Sequence, residues 1–152
     1  MTHRDQIISK NRLGKGKTTS SQHPRRQTPL RASELVAFIG TTDPARAKAF
    51  YRDTLGLILY GEDQFALVFD AHGTPLRISI VPEVAAAGYT VLGWRVPDIV
   101  ATVSELETTG VKFERYPGLR QDKLGIWKSP TGAHVAWFKD PDGNILSITQ
   151  SY

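Results

Sequence analysis

Two arginines set among apolar residues are the side chains of this chain best suited to gripping a ligand. Arg77 stands in Leu76-Arg77-Ile78-Ser79-Ile80 and Arg95 in Leu92-Gly93-Trp94-Arg95-Val96. A guanidinium can hold a carboxylate or phosphate through two parallel hydrogen bonds. The competing reading for each is a surface ion pair with a neighbouring acid. His134, within Ala133-His134-Val135-Ala136, is either a satisfied structural histidine or a pocket group that bonds a ligand and moves a proton. Trp127 and Trp137 each offer an aromatic wall or a core plug, with core the stronger reading for Trp137. His72 beside Gly73, and Glu83 after Pro82, read as solvated surface groups. Ser79 and Ser147 lack the glycine-flanked elbow that exposes a hydrolase serine. Gly14-Lys15-Gly16-Lys17-Thr18 has neither the spacing nor the preceding strand of a phosphate-cradling loop. The catalytic residue is therefore unknown, with His134 as the candidate.

Composition removes other chemistries. With no cysteine there is no disulfide framework, thiolate metal site or cysteine nucleophile, and the redox compartment stays undecided. At 152 residues the chain suffices for one ordinary domain, and its apolar runs fall far short of a membrane span. A cytoplasmic protein is the expectation. The formal charge of +4 is unevenly spread: residues 1–31 carry +7 and the remaining 121 residues carry −3. A basic nucleic-acid-binding body is not indicated. Residues 1–32, with few apolar side chains, read as a disordered basic tail preceding a domain over 33–152.

From Glu34 onward the pattern is set out twice. The first unit, about 33–83, reads as strand Leu35–Gly40, helix Asp43–Thr54, and strands near 57–60, 65–69 and 76–81. Asp43 caps a helix whose first residue is Pro44. The second unit, about 88–152, repeats the order: strand Thr90–Val96, helix Asp98–Thr108, strands near 111–115 and 125–128, then a closing hairpin. In that hairpin Asp140-Pro141-Asp142-Gly143 fills a type I turn with its preferred residues, with Gly143 where φ becomes positive. Two βαβββ modules follow from aligning Val36–Asp43 with Val91–Asp98, and the fold class is α+β.

Asp43-Pro44-Ala45-Arg46-Ala47-Lys48-Ala49-Phe50-Tyr51-Arg52-Asp53-Thr54-Leu55-Gly56-Leu57 and Trp137-Phe138-Lys139-Asp140-Pro141-Asp142-Gly143-Asn144, in this order, resemble the vicinal oxygen chelate superfamily. That superfamily includes glyoxalase, bleomycin-resistance and extradiol dioxygenase proteins. The resemblance implies paired modules whose mixed sheets curl into a cup for a small organic molecule, commonly in a homodimer. It also implies a metal held by a His on the first strand and a Glu on the last strand of each module. Those positions fall on Val36, Ser79, Val91 and Ser147, which cannot replace imidazole and carboxylate ligands. The expectation is a metal-independent protein without a cofactor.

If those four positions point into the cup, strand alternation adds Phe38, Arg77, Gly93, Arg95, Ile145 and Thr149 to its lining. Leu35, Ala37, Ile39, Leu92, Trp94, Leu146 and Ile148 would then form the core. The ligand-binding set is Phe38, Arg77, Ser79, Arg95, Trp127, His134 and Ser147. Tyr116-Pro117-Gly118-Leu119-Arg120 is either a flap over the cup or a plain connection. Enzymatic activity stays open; it would be that of a glyoxalase-type lyase or isomerase. The other rival is a sequestering protein of bleomycin-resistance type, suited to a cationic drug.

Overall fold

A computed structural model describes residues 28–151. The chain divides into two units, Met1–Ser33 and Glu34–Tyr152. Of the first, the described part contains one 3-10 turn, Pro29–Ala32. The rest of the expected basic tail lies outside the described residues.

The second unit holds two modules of equal topology. Module one runs β1 (Ala37–Thr41), α1 (Pro44–Lys48), β2 (Ile58–Glu62), β3 (Ala66–Ala71) and β4 (Thr74–Ile80). Module two runs β5 (Thr90–Arg95), α2 (Ile99–Thr108), β6 (Trp127–Lys128), β7 (His134–Lys139) and β8 (Ile145–Gln150). The strand orders are β1-β4-β3-β2 and β5-β8-β7-β6. In each sheet the first strand lies parallel to the last and the remaining pairs are antiparallel. The twin helix starts are alike to the atom: the carboxylates of Asp43 and Asp98 accept the N–H of Arg46 and Ala101, each at 3.0 Å.

Strand alternation decides what is buried. Ile39, Leu76, Ile78, Leu67 and Phe69 of the first sheet and Ala136, Phe138, Leu146 and Ile148 of the second join one hydrophobic cluster with Tyr51, Ile99 and Val103. The modules therefore share a core built from their helix-covered faces. Leu35 departs from its expected core place and is 74% exposed, because β1 begins only at Ala37. The first helix also differs from a regular one. After Lys48 it widens into a π-helical segment, Ala49–Thr54, that carries the fully buried Tyr51. The expected strand at 111–115 is reduced to a single bridge between Phe113 and Phe138. Beyond it Gln121 ties a loop together, donating to the carbonyls of Glu114 and Gly125 and accepting the N–H of Tyr116.

The closing hairpin forms as its residues predict. Gly143 N–H donates to the Asp140 carbonyl at 3.0 Å, and Gly143 has φ +84°. It also clamps module two onto module one. Tyr51 Oη donates to Asp140 Oδ2 at 2.8 Å, Thr41 Oγ1 donates to Asp142 Oδ2 at 2.6 Å, and Asn144 Nδ2 donates to the Gly40 carbonyl at 3.2 Å. Burial and the adjacent Asp140 carboxylate push the Tyr51 hydroxyl far above the ordinary phenol range, so it stays a donor. Among the described residues no helix is long and apolar enough to cross a membrane.

Candidate functional site

Each sheet has a second face that the shared core does not use. On the first sheet the register sets Phe38 beside Arg77 and Val68, and Gly40 beside Ser79 and Ala66. On the second it sets Gly93 beside Ser147 and Trp137, and Arg95 beside Thr149, Val135 and Trp127. Six of the seven expected ligand-binding residues, Phe38, Arg77, Ser79, Arg95, Trp127 and Ser147, thus occupy these open faces. They are divided between the two sheets.

His134 is the exception. It pairs with Gln150 and Lys128, one residue out of step with Val135, so alternation turns it to the helix-covered side of the second sheet. There it lines a separate cavity with Ile99 and Lys128. Placing His134 in the cup is therefore corrected by the register of β7.

The two arginines differ. Arg77 lies 3.9 Å from the Asp63 carboxylate, a partly exposed pair. Backbone N–H groups of Phe65 and Ala66 hold that carboxyl below its ordinary range, with Arg77 helping. Arg95 is exposed, and its side chain makes no ion pair or hydrogen bond among the described residues.

Sequence reasoning offered Trp127 as an aromatic wall, favoured the core for Trp137 and missed the ring of Tyr116. Ala136 and Phe138 are at most 1% exposed, so Trp137 between them must project from the open face instead of entering the core. Its ring lies 5.9 Å from that of Trp127 and 5.6 Å from that of Tyr116, the latter edge-on at 85°. Trp137 Nε1 donates to Thr90 Oγ1 at 3.1 Å, which fixes the indole. Tyr116 Oη is buried with no hydrogen-bond partner among the described residues. Burial first, then Glu114, raises its pKa, which keeps the proton on that hydroxyl. Applying strand alternation to β7 would have found Trp137; nothing local to Tyr116 announces its ring contact. Between Arg95 and the wall the floor is low. A Cβ at Gly93 would come within 2.6 Å of Ser147 Oγ, so only glycine leaves that serine its place.

A cavity of about 280 Å³ is lined by Phe38 and Gly40 of β1, Val91 of β5, and Glu83 and Val84 of the intervening segment. Val36 and Val91, at two of the positions where the resemblance implies metal ligands, are 41% and 38% exposed apolar side chains. Among the described residues no group of three or more His, Asp or Glu is placed to hold a metal ion. The donor set does not fit the metal that the resemblance implies.

No curated protein matches this chain. Solved structures do match in fold. A lactoylglutathione lyase from Agrobacterium tumefaciens is 19% identical, with 79% of this chain and 94% of that one covered and a TM-score of 0.59. A member of the glyoxalase/bleomycin resistance protein/dioxygenase superfamily from Sphaerobacter thermophilus is 22% identical, with coverage of 79% and 98% and a TM-score of 0.62. The bleomycin resistance determinant encoded on transposon Tn5 is 18% identical, with coverage of 78% and 98% and a TM-score of 0.62. Residues 34–148 match the family as a whole. With its paired βαβββ modules, the chain belongs to the Glyoxalase/Bleomycin resistance protein/Dioxygenase superfamily.

Proposed function

We propose that this protein binds a small planar organic anion on the open face of the second sheet, without a metal, in a homodimer whose second copy covers the open faces. The observation that carries the reading is the juxtaposition of Arg95, the Gly93–Ser147 floor and the Trp137–Trp127–Tyr116 wall. Arg95 and Trp137 lie on strands separated only by β8 and are offset by two residues in register, about 12 Å between Cα atoms. An aromatic ring lying against Trp137 can thus present a carboxylate to the guanidinium. Phe38 and Ile58, 65% and 66% exposed on the first sheet's open face, form the kind of apolar surface that a partner covers.

A second reading is sequestration of a cationic molecule. It is favoured by Glu83 and Phe38 lining one cavity, a carboxylate beside an exposed aromatic ring. A lyase or isomerase would need a proton-transfer group in the cup, and Glu83 is then the candidate, since His134 faces the other way.

A thermal-shift panel with chelator present separates these readings, because binding to the folded state raises its apparent stability. Aromatic carboxylates are expected to raise the melting temperature of the wild type and not of Arg95→Gln. A response confined to quaternary ammonium compounds would overturn the anionic reading. Sedimentation of the same sample is expected to give a dimer mass, and a monomer would remove the second copy from the account.

A further inference from the structure

The reverse side of the second sheet carries a charged groove with no part in the cup. It has a volume of about 230 Å³ and is lined by Ile99 and Val100 of α2, Arg120 and Asp122 of the connecting loop, Lys128 of β6 and His134 of β7, over Ile126. We propose that this groove binds a phosphate group, borne by inorganic phosphate or by a phosphate monoester.

The two cationic side chains, Arg120 and Lys128, come from separate segments, a loop and β6. Lys128 and His134 are direct partners across the β6–β7 ladder and so share a face. Arg120 reaches the groove from the loop that Gln121 ties down. Residues 32–152 carry a net −3, so this gathering of cations runs against the average of the folded part. The side chains of Arg120 and Lys128 make no ion pair or hydrogen bond among the described residues. Asp122 is the one acid in the lining, and its Oδ1 accepts the N–H groups of Leu124 and Ile126, each at 2.9 Å. That carboxylate is turned into its own loop.

Helix α2 begins at the groove with Ile99 and Val100, and the Asp98 carboxylate that caps it offsets its positive dipole end. Ile99 N–H is bonded to Gln150 Oε1 at 2.9 Å, which pins the helix start. An arginine fork and a lysine point charge suit the several oxygens of a dianion better than the two of a carboxylate. Ile99 and Ile126, 1% and 7% exposed, form an apolar floor for the organic part of an ester.

The test is an amide NMR titration of the full chain with inorganic phosphate and with phenyl phosphate, against acetate and chloride at matched ionic strength. Saturable shifts at Val100, Lys128 and His134 are expected with the phosphates alone. Arg120→Gln and Lys128→Gln are each expected to weaken binding about tenfold, the scale of one charge-assisted hydrogen bond. Lys112→Gln, outside the groove, is expected to leave it unchanged. Tighter binding of the ester assigns the site to a phosphate monoester, and equal or weaker binding assigns it to free phosphate. Failure of both phosphates to saturate by about 20 mM, a concentration that bounds affinity near 2 kcal/mol, would overturn the proposal. Equal shifts with chloride, or unchanged affinity in both groove variants, would do the same.

Discussion

Asp140 collects four donors at once. Its Oδ1 accepts the N–H groups of Asp142 and Asn144, each at 2.9 Å, and its Oδ2 accepts Tyr51 Oη and Asn144 Nδ2, each at 2.8 Å. The carboxylate is 6% exposed and Tyr51 is fully buried, so water cannot replace a lost partner. Tyr51→Phe removes one donor and leaves three; it is expected to cost about 1.5–3 kcal/mol. Asp140→Ala leaves the Tyr51 hydroxyl and two amide groups buried without an acceptor, and is expected to cost about 3–5 kcal/mol. Urea unfolding of the two variants checks the order, and equal losses would contradict it. The turn was legible from residue types alone, because Asp, Pro, Asp and Gly each fit one backbone conformation. Its clamp was not, since the Tyr51 partner lies 89 residues away in sequence.

At the scale of elements, the hairpin between β7 and β8 is the fastening that holds the end of β1. Asp142 accepts Thr41 Oγ1 at 2.6 Å and both the N–H and hydroxyl of Thr42 at 2.9 Å. Burial alone would raise its pKa; the Thr41 and Thr42 hydrogen bonds, with Arg46 nearby, outweigh burial and lower it. A folded value below the unfolded one, about 3.9, means that the unfolded chain binds the proton more readily. The stabilisation is therefore present above that pH and lost as pH falls through the folded value. Asp142→Asn is expected to lower stability at pH 7 and to flatten its acid dependence below about pH 4. An unchanged acid limb in a pH series of denaturation curves would contradict this.

The same scale shows where sequence reading held and where it stopped. Period-two alternation placed Ile39, Leu146 and Ile148 in the core and Arg77, Arg95 and Ser147 opposite them, because pleat geometry is local. It failed at Leu35, where the strand had not yet begun, and at residues 111–115, where the Gln121-tied loop leaves only the Phe113 bridge. His134 and Trp137 were misplaced for one reason. Both faces of β7 carry large side chains, and composition alone does not say which set meets the helix.

For the whole molecule, the repeated modules bury their helix-covered faces against each other and leave two sheet faces outward. Those faces bear a paired arginine, an unpaired one, an aromatic wall and exposed phenylalanine and isoleucine side chains. The positions where the resemblance implies metal ligands hold Val36, Ser79, Val91 and Ser147, and the proposed function puts recognition through stacking and charge in place of the metal. Calorimetric titration of chelator-stripped protein with nickel, zinc, manganese and iron(II) tests this most directly. The account predicts no stoichiometric site for any of the four. One site per protomer with micromolar or tighter affinity, about −8 kcal/mol or stronger, would contradict it.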